Sequence, residues 1–134
     1  ISISDSMKAA IKVLATIDLA EAVGRRIAGL SDMLELGEDE KAYHYEVGDF
    51  IASQPIDELA VYGELSREYV SAVSKLAPSI KCVCFGTRQE LCDYLLSEVK
   101  PEDVLFLKGS NGMKLKEISE AIQGIDNISE SRQE

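Results

Sequence analysis

Residues 31–40 of the sequence place five carboxylates after a short apolar run, and they belong to Asp32, Glu35 and the acidic run at 38–40. The residues at 26–30 alternate too little for a half-exposed strand and predict a strand covered on both faces. Asp32 then projects above the end of that strand, where it could hold an ammonium group, a ribose hydroxyl or a hydrated metal ion. The alternative is that Asp32 caps a local turn. Glu35 follows, and the acidic run at 38–40 predicts a helix start, where the helix dipole favours negative charge.

A second stretch combines a lysine with two glycines between a predicted strand and a predicted helix. Its residues are Lys108, Gly109, Ser110, Asn111, Gly112 and Met113. The glycines let backbone N–H groups approach a ligand, and N–H groups at a helix start bind anions such as a carboxylate or a phosphate. Lys108 adds a positive charge. The stretch is not a Walker A loop, because two residues separate its glycines where that loop has four. The alternative is a tight turn that binds nothing.

The single histidine and the three cysteines offer another set of metal-ligating side chains. His44, Cys82, Cys84 and Cys92 nominally match a zinc site, but their spacing lacks the paired short knuckles of structural zinc sites. We expect the cysteines to be small buried residues. For His44 we expect a hydrogen-bonding helix residue rather than a catalytic base.

Short apolar runs alternate with helical patterns along the chain. Strands are predicted at 26–30, 59–62, 81–85 and 104–107. Helices are predicted around them from apolar residues three or four apart, and Thr87 with Glu90 forms a capping box. The second helix is expected to turn four residues inward: Tyr43, Val47, Phe50 and Ile51. The last helix is predicted from Leu115, Ile118 and Ile122, with its end at Gly124.

Strands separated by helices in this way require crossover connections. We therefore predict a three-layer, Rossmann-like α/β fold with a mostly parallel sheet and helices on both faces. Ligands bind such sheets at the carboxyl ends of the strands, which is where both loops fall. Residues 1–124 are expected to form one domain, and residues 125–134 a polar, frayed tail.

Length and charge narrow the classes of function. A chain of 134 residues suffices for one domain with its own core. Its 14 lysines and arginines against 24 acidic residues give a net charge of −10, which opposes binding to nucleic acid or to an anionic membrane. Neither a membrane-spanning run nor a signal peptide is evident. Together with an odd number of cysteines, this predicts a cytoplasmic protein with reduced thiols.

The two loops and the first helix resemble the C-terminal domain of the Mur ligases. In the first loop the resemblance is carried by Asp32-Met33-Leu34-Glu35-Leu36-Gly37, with His44 and Gly48 downstream. In the second it is carried by Lys108-Gly109-Ser110 and Gly112-Met113-Lys114, and in the first helix by Asp5-Ser6-Met7-Lys8-Ala9-Ala10. The matching segments occur in the family's order over residues 5–122. They are most similar to the branch that adds D-alanyl-D-alanine to UDP-N-acetylmuramoyl-tripeptide.

This resemblance implies one domain of a three-domain, cytoplasmic enzyme of peptidoglycan precursor synthesis. The N-terminal and central domains, which lie outside this sequence, would bind the UDP-sugar and ATP with Mg²⁺. ATP would phosphorylate the terminal carboxylate of the tripeptide, and the amine of D-alanyl-D-alanine would attack the acyl phosphate. The present domain would position the dipeptide and close over ATP. It would supply no catalytic residue, and we expect it to be inactive alone and monomeric.

The resemblance also assigns substrate binding to residues of both loops. They are Asp32, Glu35, Lys108, Gly109, Ser110, Asn111 and Gly112. The second loop would hold the carboxylate of the dipeptide, and Asp32 or Glu35 its amine or the nucleotide. Asn111 stands where the family typically has Arg, and Ser31 where it has Gly. Since a guanidinium is a bidentate carboxylate partner, the anchor is expected to shift to Lys108. Residues 1–4 replace a family Asn-Ala-Asn-Pro segment.

Two other classes of function fit parts of the sequence. A receiver-type phosphoacceptor domain would use an Asp after one strand and a Lys after another, but residues 59–62 end in Gly63 rather than in a phosphorylatable Asp. An acidic protein-interaction module would use residues 35–40 as its face.

Overall fold

A computed structural model of the chain describes residues 3–16, 24–110, 113, 115–116 and 129–130. Its helices are α1 (Ile3–Thr16), α2 (Glu40–Ala52), α3 (Arg67–Leu76) and α4 (Arg88–Glu98). A 3₁₀ turn, Gly37–Asp39, precedes α2. The strands are β1 (Arg26–Ser31), β2 (Glu58–Tyr62), β3 (Lys81–Phe85), β4 (Val104–Lys108) and the short β5 (Ser129–Glu130).

The strands form one sheet in the order β3-β2-β1-β4-β5, and every pairing is parallel. The chain first builds outward from β1 through β2 to β3. It then returns to place β4 on the other side of β1. The topological switch point of the sheet therefore lies between β1 and β4.

Alternate residues of the strands supply two apolar cores, one on each face of the sheet. On one face, Ala28 and Leu30 of β1 pack with residues of α1, α2 and α3. On the other face, Ile27 packs with Leu91 and Leu95 of α4. Helices thus cover both faces of a parallel sheet, and the predicted Rossmann-like α/β fold is confirmed.

The local predictions for the helices are largely confirmed. The acidic run at 38–40 leads into α2, and Thr87 caps α4 in the predicted capping box, with the Glu90 N–H donating to Thr87 Oγ1 at 3.1 Å. The inward face of α2 was wrong in one place, since Tyr43 is exposed and His44 is buried instead. Of the predicted last helix, Leu115 and Lys116 are helical, and Ile118, Ile122 and Gly124 lie outside the described residues.

Within the segment expected to be a frayed tail, Ser129–Glu130 pair in parallel with Val104 and Leu105 of β4. The boundary at residue 124 stays a prediction. In the part of the chain that the structure describes, no helix is long and apolar enough to cross a bilayer.

Candidate ligand site at the carboxyl edge of the sheet

The two loops singled out in the sequence meet at the switch point of the sheet. β1 and β4 are hydrogen-bonded neighbours, so the residues that follow them emerge side by side. The Ser110 N–H donates to the carbonyl oxygen of Asp32 at 3.2 Å, and the Leu34 N–H donates to Ser110 Oγ at 2.7 Å. Open α/β sheets bind ligands in the crevice outside the strand ends at such a point. The structure therefore joins both loops into one edge of a candidate site.

Asp32 is held from one side by the turn before α3. Its Oδ1 accepts the N–H and the hydroxyl of Ser66, each at 2.8 Å. Its carboxylate lies against Gly63, whose φ of 115° favours glycine and where a Cβ would overlap the carboxylate. Oδ1 therefore caps the turn before α3, as the turn-capping alternative predicted. Oδ2 accepts no hydrogen bond from the described residues. The predicted role of Asp32 in binding a substrate stays a prediction.

Ser31 and Gly109 fit against each other beneath the second loop. The Ser31 hydroxyl is fully buried and has no hydrogen-bond partner in the described part of the chain. A Cβ at Gly109 would overlap that hydroxyl and would lie 3.2 Å from Leu115 Cδ1. Gly109 is therefore required for the close packing of this loop on β1, in addition to any approach to a ligand.

Lys108 ends β4 and is half-buried. Among the described residues its ammonium group makes no ion pair, unlike Lys8 or Arg25. The Ser110 carbonyl oxygen accepts the Met113 N–H at 2.9 Å, which turns the loop back toward the helical residues at 115–116. Asn111 and Gly112 lie outside the described residues. Lys108 is the β4 residue paired with Leu30 of β1, so it lies at the switch point, and its predicted role in binding an anion stays a prediction.

Glu35 lies at the outer end of the first loop. It is exposed, and its φ of 64° puts it in the left-handed region that residues other than glycine adopt at a cost of about 1–2 kcal/mol. Strained residues of this kind cluster at ligand sites and switch regions. Its predicted role in binding an amine or a nucleotide stays a prediction.

The sequence of this chain matches the family model described as "Mur ligase, glutamate ligase domain" over residues 4–111. The chain belongs to the Mur ligase family. Curated relatives that carry the name UDP-N-acetylmuramoyl-tripeptide–D-alanyl-D-alanine ligase include one from Bacillus subtilis, 32% identical over 113 residues and 84% of this chain. Another, from Haemophilus influenzae, is 32% identical over 120 residues and 85% of this chain.

Solved structures share the fold of this Mur ligase domain. A MurF from Acinetobacter baumannii superposes with a TM-score of 0.75 over 92% of this chain at 20% identity. A MurF ligase from Thermotoga maritima, in complex with ADP, superposes with a TM-score of 0.67 over 92% of this chain at 19% identity. The chain spans about a quarter of these proteins, 24% of each of the two curated relatives and 26% of each structure.

The family assignment removes the receiver alternative for the Mur ligase domain. A receiver site needs a second acidic group beside a phosphorylatable Asp. No group of three or more His, Cys, Asp or Glu side chains that could hold a metal ion occurs among the described residues. Asp32 is instead tied by Oδ1 to Ser66.

The zinc alternative fails on the topology of the Mur ligase domain. Cys82 and Cys84 pack on the α2–α3 side of the sheet, whereas Cys92 belongs to the core on the α4 side. Burial raises the pKa of each of these thiols, which keeps them protonated and unreactive. The prediction of small buried residues is confirmed for Cys92, whereas Cys82 and Cys84 on the edge strand β3 are only half-buried.

Two residues that support the first loop were not recognised from the sequence as parts of the site. Tyr69 was predicted only as part of an apolar helix stripe, yet its hydroxyl donates to the Ser31 carbonyl oxygen at 3.0 Å. His44 was expected to form hydrogen bonds, but not to the loop itself. One signal was available for Tyr69, because a buried tyrosine hydroxyl normally requires a partner.

Proposed function

We propose that this chain is the dipeptide-positioning domain of an ATP-dependent ligase that joins D-alanyl-D-alanine to UDP-N-acetylmuramoyl-tripeptide. Its relatives at 32% identity carry that activity in their names. The observation that carries the proposal is the direct hydrogen bonding of the Asp32 loop to the Lys108 loop at the switch point. Among the described residues, Lys108 has no ion-pair partner and Asp32 Oδ2 no hydrogen-bond donor, and the two residues follow neighbouring strands.

A dipeptide zwitterion needs one anchor of each charge. Lys108 and the backbone N–H groups of its loop suit the carboxylate, because charge-assisted hydrogen bonds to a carboxylate are about twice as strong as neutral ones. Oδ2 of Asp32, or the exposed Glu35, suits the ammonium group. Holding both ends converts a bimolecular encounter into an oriented one, which lowers the entropic part of the barrier.

The chemistry itself belongs to the substrates. ATP would transfer its γ-phosphoryl group to the terminal carboxylate of the tripeptide and leave as ADP. The amine of the dipeptide would then attack the acyl carbon, lose a proton and expel phosphate. We assign ATP and Mg²⁺ mainly to a central domain outside this sequence, over which this domain would close, because residues 1–134 contain no Walker A loop. On this proposal the domain alone is inactive and monomeric, and the complete enzyme works in the cytoplasm.

The test is steady-state kinetics of the complete ligase with Lys108→Ala. Loss of a charged hydrogen-bond donor costs about 1.5–3 kcal/mol, so the KM for D-alanyl-D-alanine should rise about 10- to 150-fold while the KM for ATP stays unchanged. Lys75→Ala is the matched control, because Lys75 is exposed in the last turn of α3.

An unchanged KM for the dipeptide in Lys108→Ala would show that Lys108 does not bind the dipeptide carboxylate. A rise confined to the KM for ATP would instead assign Lys108 to the nucleotide.

A further inference from the structure

Two buried aromatic side chains from different helices hold the backbone on either side of Asp32. Tyr69 of α3 donates its hydroxyl to the carbonyl oxygen of Ser31 at 3.0 Å. His44 of α2 accepts the N–H of Met33 on Nε2 at 2.9 Å. Both side chains are 0% exposed, so water does not compete for either bond. We call this pair of residues the aromatic clamp.

The surroundings of His44 and Tyr69 determine which atom of each side chain donates a hydrogen bond and which accepts one. His44 Nδ1 lies 2.6 Å from the carbonyl oxygen of Glu40, which can only accept, so Nδ1 carries the proton and Nε2 is the acceptor. Burial, and then the charge of Asp32, raise the pKa of Tyr69 well above its ordinary value, so its hydroxyl stays a donor. The two rings also pack on each other, with centroids 5.1 Å apart.

A glycine allows the two helices to bring these rings together. Gly48 lies one turn after His44, and a Cβ there would lie 2.5 Å from the Tyr69 carbonyl oxygen and 2.9 Å from Ala72 Cβ. Only a residue without a side chain permits this approach of α2 to α3. The clamp therefore belongs to a tightly packed pair of helices rather than to a mobile surface.

Asp32 is restrained further by the polar groups around it. Ser66 binds its Oδ1 from one side, and the Ser110 N–H binds its carbonyl oxygen from the other. Together with the clamp, hydrogen bonds hold the Ser31 carbonyl, the Asp32 carbonyl, the Met33 N–H and Asp32 Oδ1, whereas Asp32 Oδ2 accepts none from the described residues. Sites that must hold a ligand within about 0.5 Å are supported by such surrounding hydrogen bonds.

We propose that His44 and Tyr69 are positioning residues, which fix Asp32 so that its Oδ2 receives the ammonium group of the incoming dipeptide. This rests on the proposed function, because it assumes that the dipeptide binds between the two loops. The clamp touches no substrate and acts only through the backbone of Ser31 and Met33.

The experiment measures both KM values in the complete ligase with Tyr69→Phe, His44→Asn and His44→Gln. Tyr69→Phe removes one hydrogen bond and keeps the ring, so the KM for D-alanyl-D-alanine should rise about 3- to 10-fold and the KM for ATP should not change. His44→Asn should do the same, since its shorter amide can still donate to Glu40 but no longer reaches Met33. His44→Gln offers a longer acceptor and should restore most of the loss.

Tyr94→Phe is the matched control for a purely structural effect. Tyr94 also donates its hydroxyl to a buried partner, Glu58, but at the opposite edge of the sheet. It should lower thermal stability without changing either KM. The proposal is overturned if Tyr69→Phe and His44→Asn change the KM for the dipeptide no more than Tyr94→Phe does. It is also overturned if His44→Gln raises that KM as much as His44→Asn.

Lys108→Ala in the same assay separates this proposal from the proposed function. If the KM for the dipeptide rises in Lys108→Ala but is unchanged in the clamp variants, the positioning role of His44 and Tyr69 is rejected and the proposed function is kept. If the KM for the dipeptide is unchanged in Lys108→Ala but raised in the clamp variants, the clamp is supported and Lys108 does not bind the dipeptide.

Discussion

The two edges of the sheet use polar residues in opposite ways. At the amino edge, Arg25 donates to Asp103 at 2.8 Å, to Glu58 at 3.1 Å and to the carbonyl oxygen of Glu98 at 2.8 Å. Asp103 also accepts the N–H groups of Arg25 and Lys100, each at 2.9 Å. Both carboxylates are almost fully buried, at 1% exposure for Glu58 and 2% for Asp103. This edge forms a closed ionic network whose members satisfy one another.

At the carboxyl edge, polar groups keep unused capacity. The Ser31 hydroxyl is buried without a partner in the described part of the chain, and Oδ2 of Asp32 accepts no hydrogen bond there. Lys108 carries an unpaired charge among the same residues, and Glu35 has a strained backbone. Fully satisfied networks make a structure rigid, whereas unsatisfied groups cost stability unless a ligand uses them. We infer that the polar groups of the amino edge stabilise the fold and that those of the carboxyl edge bind a ligand.

The largest expected effect is on the amino edge, from Arg25→Met. The substitution keeps an apolar stem and leaves two buried carboxylates without their cation. Breaking a buried ion pair from one side costs about 3–5 kcal/mol, and the partial exposure of Arg25 puts this case near the lower end. Urea unfolding measures the change.

Lys8→Met is the matched control for Arg25→Met, because it removes the more exposed ion pair with Glu46 between α1 and α2. It should cost less than about 1 kcal/mol. An equal loss of unfolding free energy in the two variants would show that the amino-edge network stabilises the fold no more than an exposed ion pair does.

Acid should weaken the same network. Burial alone would raise the pKa of Asp103, but hydrogen bonds from Arg25 and from the backbone N–H groups of Lys100 and Arg25 outweigh it and lower that pKa. A carboxyl with a depressed pKa contributes stability above its unfolded value, near pH 4, and this is lost as the pH falls through the folded value. The free energy of unfolding should therefore decrease below about pH 4, and decrease less in Arg25→Met. Parallel pH profiles would contradict the account.

In the helix pair that supports the carboxyl edge, Gly48→Ala should separate α2 from α3. The added Cβ meets backbone at 2.5 Å, and overpacking of this kind costs about 1–3 kcal/mol. Since the aromatic clamp joins these helices, the dipeptide KM of the complete ligase should rise as well. Gly86→Ala is the control, because its Cβ would meet only Glu90 Oε1, at 3.6 Å. A neutral or stabilising Gly48→Ala would refute the close approach.

The smallest expected effect is a gain, from Ser31→Ala. Removing a buried hydroxyl that has no partner among the described residues relieves a desolvation penalty, and the domain should become about 1 kcal/mol more stable. The corresponding removal at the amino edge, Tyr94→Phe, should be destabilising. If Ser31→Ala also lost stability, the hydroxyl would have a partner and the contrast between the edges would weaken.

The sheet could be predicted closely from the sequence. The run at 81–85 matches β3, and the other three predicted strands differ from β1, β2 and β4 by one residue at one end. Buried parallel strands are continuous apolar runs, so their signal is local. The capping box at Thr87 is local for the same reason.

The supports of the site could not be predicted, because their partners are distant in sequence. Tyr69 is 38 residues from Ser31, and Arg25 is 78 residues from Asp103. The error on α2 has a related cause. Hydropathy places Tyr43 inside, but His44 is buried because the Met33 N–H and the Glu40 carbonyl oxygen satisfy both of its nitrogens. Both loops of the site were recognised from their residue types, and the contact between them follows from β1 and β4 being neighbours.

The central claim is that the crevice between the two loops takes the dipeptide. The most direct test is a crystal structure of the complete ligase with D-alanyl-D-alanine, UDP-N-acetylmuramoyl-tripeptide and a non-hydrolysable ATP analogue. We predict the dipeptide carboxylate within about 3 Å of Lys108 Nζ and its ammonium group at hydrogen-bond distance from Asp32 Oδ2. A dipeptide bound away from both loops, or Lys108 paired with a phosphate of the nucleotide, would contradict it.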